Sequence, residues 1–158
     1  MKVYIRNQQR SIRINQQRIR RLLKRALNLL GLQKSELSIL FVNDRRMRIL
    51  NLRYRGIDRT TDVLSFPQLS ADEQQAARAE AKTSSLQSFR ASELPLGDIV
   101  INLPKAKRQA NEYGITLSEE LRRLIVHGLL HLVGYDHEKG RYQKRKMELK
   151  ERELLRGL

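Results

Sequence analysis

The sequence predicts an α+β (mixed α/β) domain: a small mixed sheet of about four strands packed with helices, one of which carries a histidine cluster. Three observations predict it. Short β-type runs alternate with segments of helical periodicity in the order βαβαββα, followed by further helix. A chain of 158 residues is long enough to bury one real core, so 1–158 is read as one domain. All three histidines, His127, His131 and His137, fall in a segment patterned as a helix and the turn after it.

Val3 to Ile14 has β-type residues interrupted by Asn7-Gln8-Gln9, which suits a strand or an irregular hairpin. Asn15 is an N-cap for a helix to about Leu30, with Ile19, Leu22, Leu23, Ala26, Leu29 and Leu30 on one apolar face and Gly31 as its stop. Most arginines of that segment fall on the other face. Glu36 to Val42 reads as a buried strand. Asn43 and Asp44 cap a helix from about Arg45 to Tyr54 that ends at Gly56. Asp62 to Phe66 is a short strand closed by Pro67. Residues 68–94 are Gln-, Ala-, Glu- and Ser-rich and are expected to be a mobile surface insertion with one short helix around Asp72 to Lys82. Gly97 to Asn102 is a further strand, and Pro104 opens a helix ending near Gly114. Thr116-Leu117-Ser118-Glu119 is a capping box. The helix it starts has a stripe of Leu117, Leu121, Leu124, Ile125, Leu129 and Leu132, and Gly134 stops it. A charged helix from about Lys144 to Leu155 follows.

Composition narrows the function classes. Without cysteine there is no disulfide framework and no thiolate metal site. The first residues lack the apolar core of a signal peptide, and no apolar run approaches the roughly 20 residues of a membrane span. A cytoplasmic protein with no membrane partner is therefore expected. The net charge of +15 opposes compaction by self-repulsion, which points to a polyanionic partner, with nucleic acid favoured over the competing anionic membrane surface. The basic residues concentrate in Arg18-Ile19-Arg20-Arg21 with Lys24-Arg25, and in Arg45-Arg46-Met47-Arg48. These two helices are the suspected substrate-binding surfaces.

His127 and His131 are four apart, so one helical turn sets their rings side by side. Gly134 then allows the chain to bring His137 back. Three neutral imidazoles suit zinc and leave a fourth position for water, the pattern of a catalytic rather than a structural site. Water on such an ion has a pKa near 7, against about 15.7 in bulk. The spacing is zincin-like and matches the metzincin protease signature H-E-x-x-H-x-x-G-x-x-H at every histidine and at the glycine. The general-base glutamate of those proteases is Gly128 here, which argues against peptidase activity.

The segment HGLLHLVGYDH at 127–137 resembles the signature of the YbeY family, the bacterial rRNA maturation factors described as metal-dependent single-strand endoribonucleases. LNLRYRG at 50–56, TDVLSFP at 61–67 and LGDIVI at 96–101 are similar to further family blocks in the same order. The resemblance implies one zinc ion held by His127, His131 and His137, and a functional arginine at Arg55. An arginine suits that role because its fixed fork of donors can grip a phosphodiester. The resemblance also implies action in 16S rRNA 3′-end processing and ribosome quality control. Implied partners are rRNA precursor, the small ribosomal subunit, a small-subunit ribosomal protein and a ribosome-associated GTPase. Two departures stand out. The family's Glu-Ala pair after the GDIVI strand is Gln109-Ala110 here, and the insertion at 68–94 is longer than expected. The alternative to an enzyme is a metal-stabilised RNA-binding assembly factor with little or no catalysis.

Overall fold

The computed structural model describes residues 1–80, 94–138 and 140–158. Four strands, β1 (Lys2–Asn7), β2 (Ser35–Val42), β3 (Val63–Pro67) and β4 (Leu94–Asn102), form one sheet in the order β1-β2-β4-β3. β1, β2 and β4 run parallel, and β3 pairs antiparallel with β4. The helices are α1 (Gln16–Leu29), α2 (Asp44–Arg55), α3 (Ala71–Glu80), α4 (Leu103–Glu112), α5 (Leu117–Leu132) and α6 (Arg141–Gly157). The expected α+β class with a four-stranded mixed sheet is what the chain adopts.

Local chemistry explains most boundaries. The side chains of Asn15, Asn43, Asn102 and Thr116 each accept a backbone N–H three residues on, satisfying a donor the helix cannot. Glu119 completes the capping box by accepting from Thr116 N. α5 ends in a Schellman closure, with Gly134 N donating to His131 O and Tyr135 N to Leu130 O, at a left-handed Gly134 (φ 84°).

Several expectations are corrected. The strand at the N-terminal end stops at Asn7 and pairs in parallel with β2, so Val3–Ile14 is not a hairpin. Buried Gln9 organises the chain between β1 and α1: its amide donates to Asn7 Oδ1 and Ile12 O, and its Oε1 accepts from Ile12 N. On α1 the buried positions include Leu27, whereas Leu29 is exposed and lies over Gly157 of α6. α5 is enclosed rather than striped: Glu120, Val126, Gly128 and Leu130 are also buried. The cause is its central place, packed against β3, β4, α1, α4 and α6. Leu69 joins the main core and Gln68 N donates to Leu96 O, so the 68–94 stretch begins inside the packed structure. α3 lies where a short helix was expected. β4 begins three residues earlier than expected, because a bulge at Leu96 accommodates the Pro95 that reads as a breaker. The rest of the expected insertion, 81–93, lies outside the described residues.

One core fills the space between the sheet and α1, α4, α5 and α6; a smaller cluster of Val42, Met47, Leu64 and Val100 lies under α2. Two buried asparagines tie the site's frame together. Asn102 Nδ2 donates to Asp44 and Thr60, and Asn51 Nδ2 donates to Arg59 O, fastening the turn after α2. Among the described residues no helix is long and apolar enough to cross a membrane.

Candidate functional site

α5 delivers His127 and His131 from successive turns, and the Schellman closure returns the chain so that His137 faces them. The ring centroids lie 4.7, 5.2 and 5.0 Å apart, and one ligand atom from each ring falls within 4.8 Å of the others. His127 Nε2 and His131 Nε2 approach to 3.1 Å. Two nitrogens on one tetrahedral zinc, each at about 2.0–2.1 Å, would be about 3.3 Å apart.

The donor chemistry fits a cation. His127 Nδ1 lies 2.6 Å from Glu151 Oε1, so the ring donates its proton there and turns the Nε2 lone pair inward. Burial, and then the neighbouring His127 and His137, push the His131 pKa from 6.5 down to about 4, which keeps this imidazole in its neutral, ligating form. His137 Nδ1 is buried without a hydrogen-bond partner among the described residues. Converging lone pairs and an orphaned ring nitrogen are what an ion would satisfy.

Gly128 has a structural reason. A Cβ there would sit 3.0 and 3.1 Å from Ile99 Cγ2 and Cδ1 and 3.2 Å from Ser65 Oγ. The helix rests on the sheet at this point, and Ser65 Oγ donates to Gly128 O at 3.3 Å. Strands β3 and β4 occupy the space a protease's glutamate would need.

The histidines line a cleft of about 620 Å³ together with Arg55, Asp62, Ser65, Arg123 and Glu138. Arg55, the last residue of α2, reaches it from 72 positions before His127, and its Nη2 donates to Glu138 Oε1 at 3.1 Å. The pair is exposed to solvent and is weak on that account. Arg123 is committed elsewhere. Its Nε and Nη2 grip the fully buried Glu120 at 2.9 and 2.6 Å, with Asp62 at 4.0 Å. Burial alone would raise the Asp62 carboxyl, but hydrogen bonds from Gln109, the Val63 backbone and Thr61 outweigh it and hold the pKa below 3.8. Gln109 Nε2 supplies the first of these at 3.1 Å. A glutamate at 109 would set two carboxylates face to face, so the amide is the matched partner of Asp62.

The suspected basic segments, Arg18–Arg25 and Arg45–Arg48, do not line this cleft. Arg18, Arg21 and Arg25 line a separate groove of about 430 Å³ with Arg13 and Arg122. Arg45, Arg46 and Arg48 are exposed at the start of α2, about 10–15 Å along the helix from Arg55. Arg48 is paired with Asp58 at 2.7 Å. Adjacent residues of α5 face the two depressions, Arg122 the basic groove and Arg123 the histidine cleft. Glu138, Glu151 and the Glu120–Arg123 pair were not anticipated from sequence. Each is recognisable only by a contact that the fold makes.

Comparison with known proteins gives a consistent result. The family described as Endoribonuclease YbeY matches residues 4–158. An endoribonuclease YbeY of Aquifex aeolicus is 39% identical over 146 residues, covering 92% of this chain and 85% of its own length. That of Geobacter metallireducens is 39% identical over 155 residues, covering 98% and 93%. A solution structure of a Thermotoga maritima protein shares the fold, with a TM-score of 0.63 at 22% identity, covering 98% of this chain and 87% of that one.

Proposed function

The chain belongs to the endoribonuclease YbeY family, and on that premise we propose that it is a single-strand-specific, zinc-dependent endoribonuclease in which 1–158 works as one domain. Its substrate in this reading is precursor rRNA at the 16S 3′ end, in maturation and in ribosome quality control, in the cytoplasm. A small-subunit ribosomal protein and a ribosome-associated GTPase are the protein partners proposed. The observation that carries the reading is one cleft holding both three convergent imidazoles and an arginine whose partner is solvent-exposed.

His127, His131 and His137 hold the ion. The chemistry a bound zinc supplies is Lewis-acid polarisation of a phosphoryl oxygen and acidification of water. Arg55 grips the scissile phosphate and stabilises the charge that grows on it. Its Nη2 exchanges Glu138 for phosphate, while Nε and Nη1 offer further donors. Arg123 cannot take that part without stranding the buried Glu120 carboxylate. Its role is to stiffen the cleft wall through Asp62. The basic groove under α1 and the start of α2 hold flanking backbone phosphates.

The test combines metal analysis of tag-free protein with cleavage of precursor 16S rRNA by wild type, His127→Ala and Arg55→Ala. The reading expects one zinc per chain in wild type, none in His127→Ala, and loss of cleavage in both variants with RNA affinity largely kept. Clean wild-type protein that binds zinc and RNA but never cleaves would leave the assembly-factor reading in its place. That outcome is a specific possibility because Gly128 leaves this turn of α5 without a base.

A further inference from the structure

The geometry points to Glu151 as the residue that positions His127 for metal binding, so that α6 is part of the metal centre although it supplies no ligand. The inference rests on the histidines holding a metal ion, as proposed above.

Glu151 Oε1 is 2.6 Å from His127 Nδ1, and both side chains are about one-fifth exposed (22% and 23%). An imidazole has two tautomers, and only the one protonated on Nδ1 presents an Nε2 lone pair. A carboxylate against Nδ1 selects that tautomer, fixes the ring plane and raises the basicity of the opposite nitrogen. The selected nitrogen is the one that lies 3.1 Å from His131 Nε2, inside the three-histidine cluster.

The carboxylate is also rigidly mounted. Met147 and Leu154, the two fully buried residues of α6, are four positions before and three after Glu151 and share its face of the helix. Packing α6 onto α5 therefore carries Glu151 to His127 as one unit. The neighbouring acid Glu153 shows the contrast: it is largely exposed and pairs with Lys150. α6 is otherwise strongly basic, so a glutamate turned inward at this position is not accounted for by surface charge.

A simple staple between α5 and α6 would predict a different behaviour, and the experiment separates the two. Zinc affinity is measured by competition with a chromophoric chelator for wild type, Glu151→Gln, Glu151→Ala and Glu153→Gln. The His127 tautomer is read by nitrogen-15 NMR on the zinc-free proteins, together with their melting temperatures. Positioning predicts a His127 proton on Nδ1 in wild type and a tautomer mixture in Glu151→Ala. It predicts an affinity loss of about 10–100-fold in Glu151→Ala, a smaller loss in Glu151→Gln, which keeps an acceptor of the same shape, and no change in Glu153→Gln. If wild type binds zinc and both Glu151 variants bind it within about twofold, Glu151 is a staple and the inference is wrong. If Glu151→Ala does not fold, the Gln variant decides alone by the same affinity and tautomer criteria. If wild type binds no zinc, the metal-site reading itself falls, and the inference with it.

Discussion

Replacing Gly128 with alanine sets two effects of opposite sign against each other. Alanine in a helix interior is favoured over glycine by about 1 kcal/mol. The added methyl meets Ile99 Cγ2 at 3.0 Å, Ile99 Cδ1 at 3.1 Å and Ser65 Oγ at 3.2 Å. Ser65 can rotate, but Ile99 is fully buried on a strand flanked on both edges, and α5 is hemmed in by α1, α4 and α6. Overpacking of this kind costs about 1–3 kcal/mol. The net expectation is a loss of about 1 kcal/mol, or about 2–4 °C in Tm for a domain of this size. Urea denaturation of the zinc-free protein measures it as a lower midpoint at unchanged m. Ile99→Val removes Cδ1 and should cost about 0.5–1.5 kcal/mol alone, but about 0.5 kcal/mol less when combined with Gly128→Ala. Stabilisation of Gly128→Ala by the full 1 kcal/mol or so, with no coupling to Ile99, would refute the close approach. It would also remove the explanation for the missing glutamate.

Arg55→Ala should lower cleavage of single-stranded RNA by about 100-fold or more while leaving zinc content unchanged and stability within about 0.5 kcal/mol, since its Glu138 partner is exposed. A matching loss of zinc or of fold would show that Arg55 acts structurally. Changing Arg18, Arg21 and Arg25 together to glutamine should flatten the log–log salt dependence of RNA binding by about 2, at about 0.7 per phosphate contact on a single strand. An unchanged slope would remove the groove under α1 from the RNA path. Asp44 titrates below 3.8: the hydrogen bond from Arg108 leads, burial opposes it, and Asn102, the Arg108 charge and Thr60 add to the lowering. A folded-state pKa below the unfolded one gives stability that is fully present above the unfolded value and is lost as pH falls through the folded one. Asp44→Asn should therefore flatten the decline in urea midpoint below about pH 3.8, and an identical acid limb would show that this carboxylate contributes nothing.

Legibility from sequence tracks the range of the interactions involved. The asparagine and threonine caps, the capping box and the His127–His131 pair are contacts between residues three or four apart, and their geometry is dictated by helix pitch alone. His137 is nearly as local, because one left-handed glycine decides the return. The meeting of Arg55 with the histidines is different in kind. It depends on α2 and α5 packing near the same sheet edge, and the resemblance to a family, not any spacing, led to it. Glu151 had no local signal at all: it is one acid among several in a charged helix, distinguished only by the direction it faces. Gln9 misled for a similar reason, since a polar residue between β-type runs reads as a turn, whereas here it is a buried hub. On α1 the same limit placed Leu29 inside and overlooked Leu27, because helical periodicity leaves the edge of an apolar face undetermined by one position.

The register of β3 and β4 has a consequence for chain length. Pro67 pairs with Gly97, and Gln68 N bonds Leu96 O, so both ends of the intervening connection are pinned side by side by the sheet itself. The entropy of closing a loop rises only as the logarithm of its length. About ten residues added between Glu80 and Leu94 would lengthen the closed loop by roughly a third and cost about 0.3 kcal/mol. The strand that carries Ser65 to the cleft, with Asp62 just before it, would keep its pairing. Chain closure is therefore only a small part of what an insertion, a tag or a reporter in this connection would cost the fold.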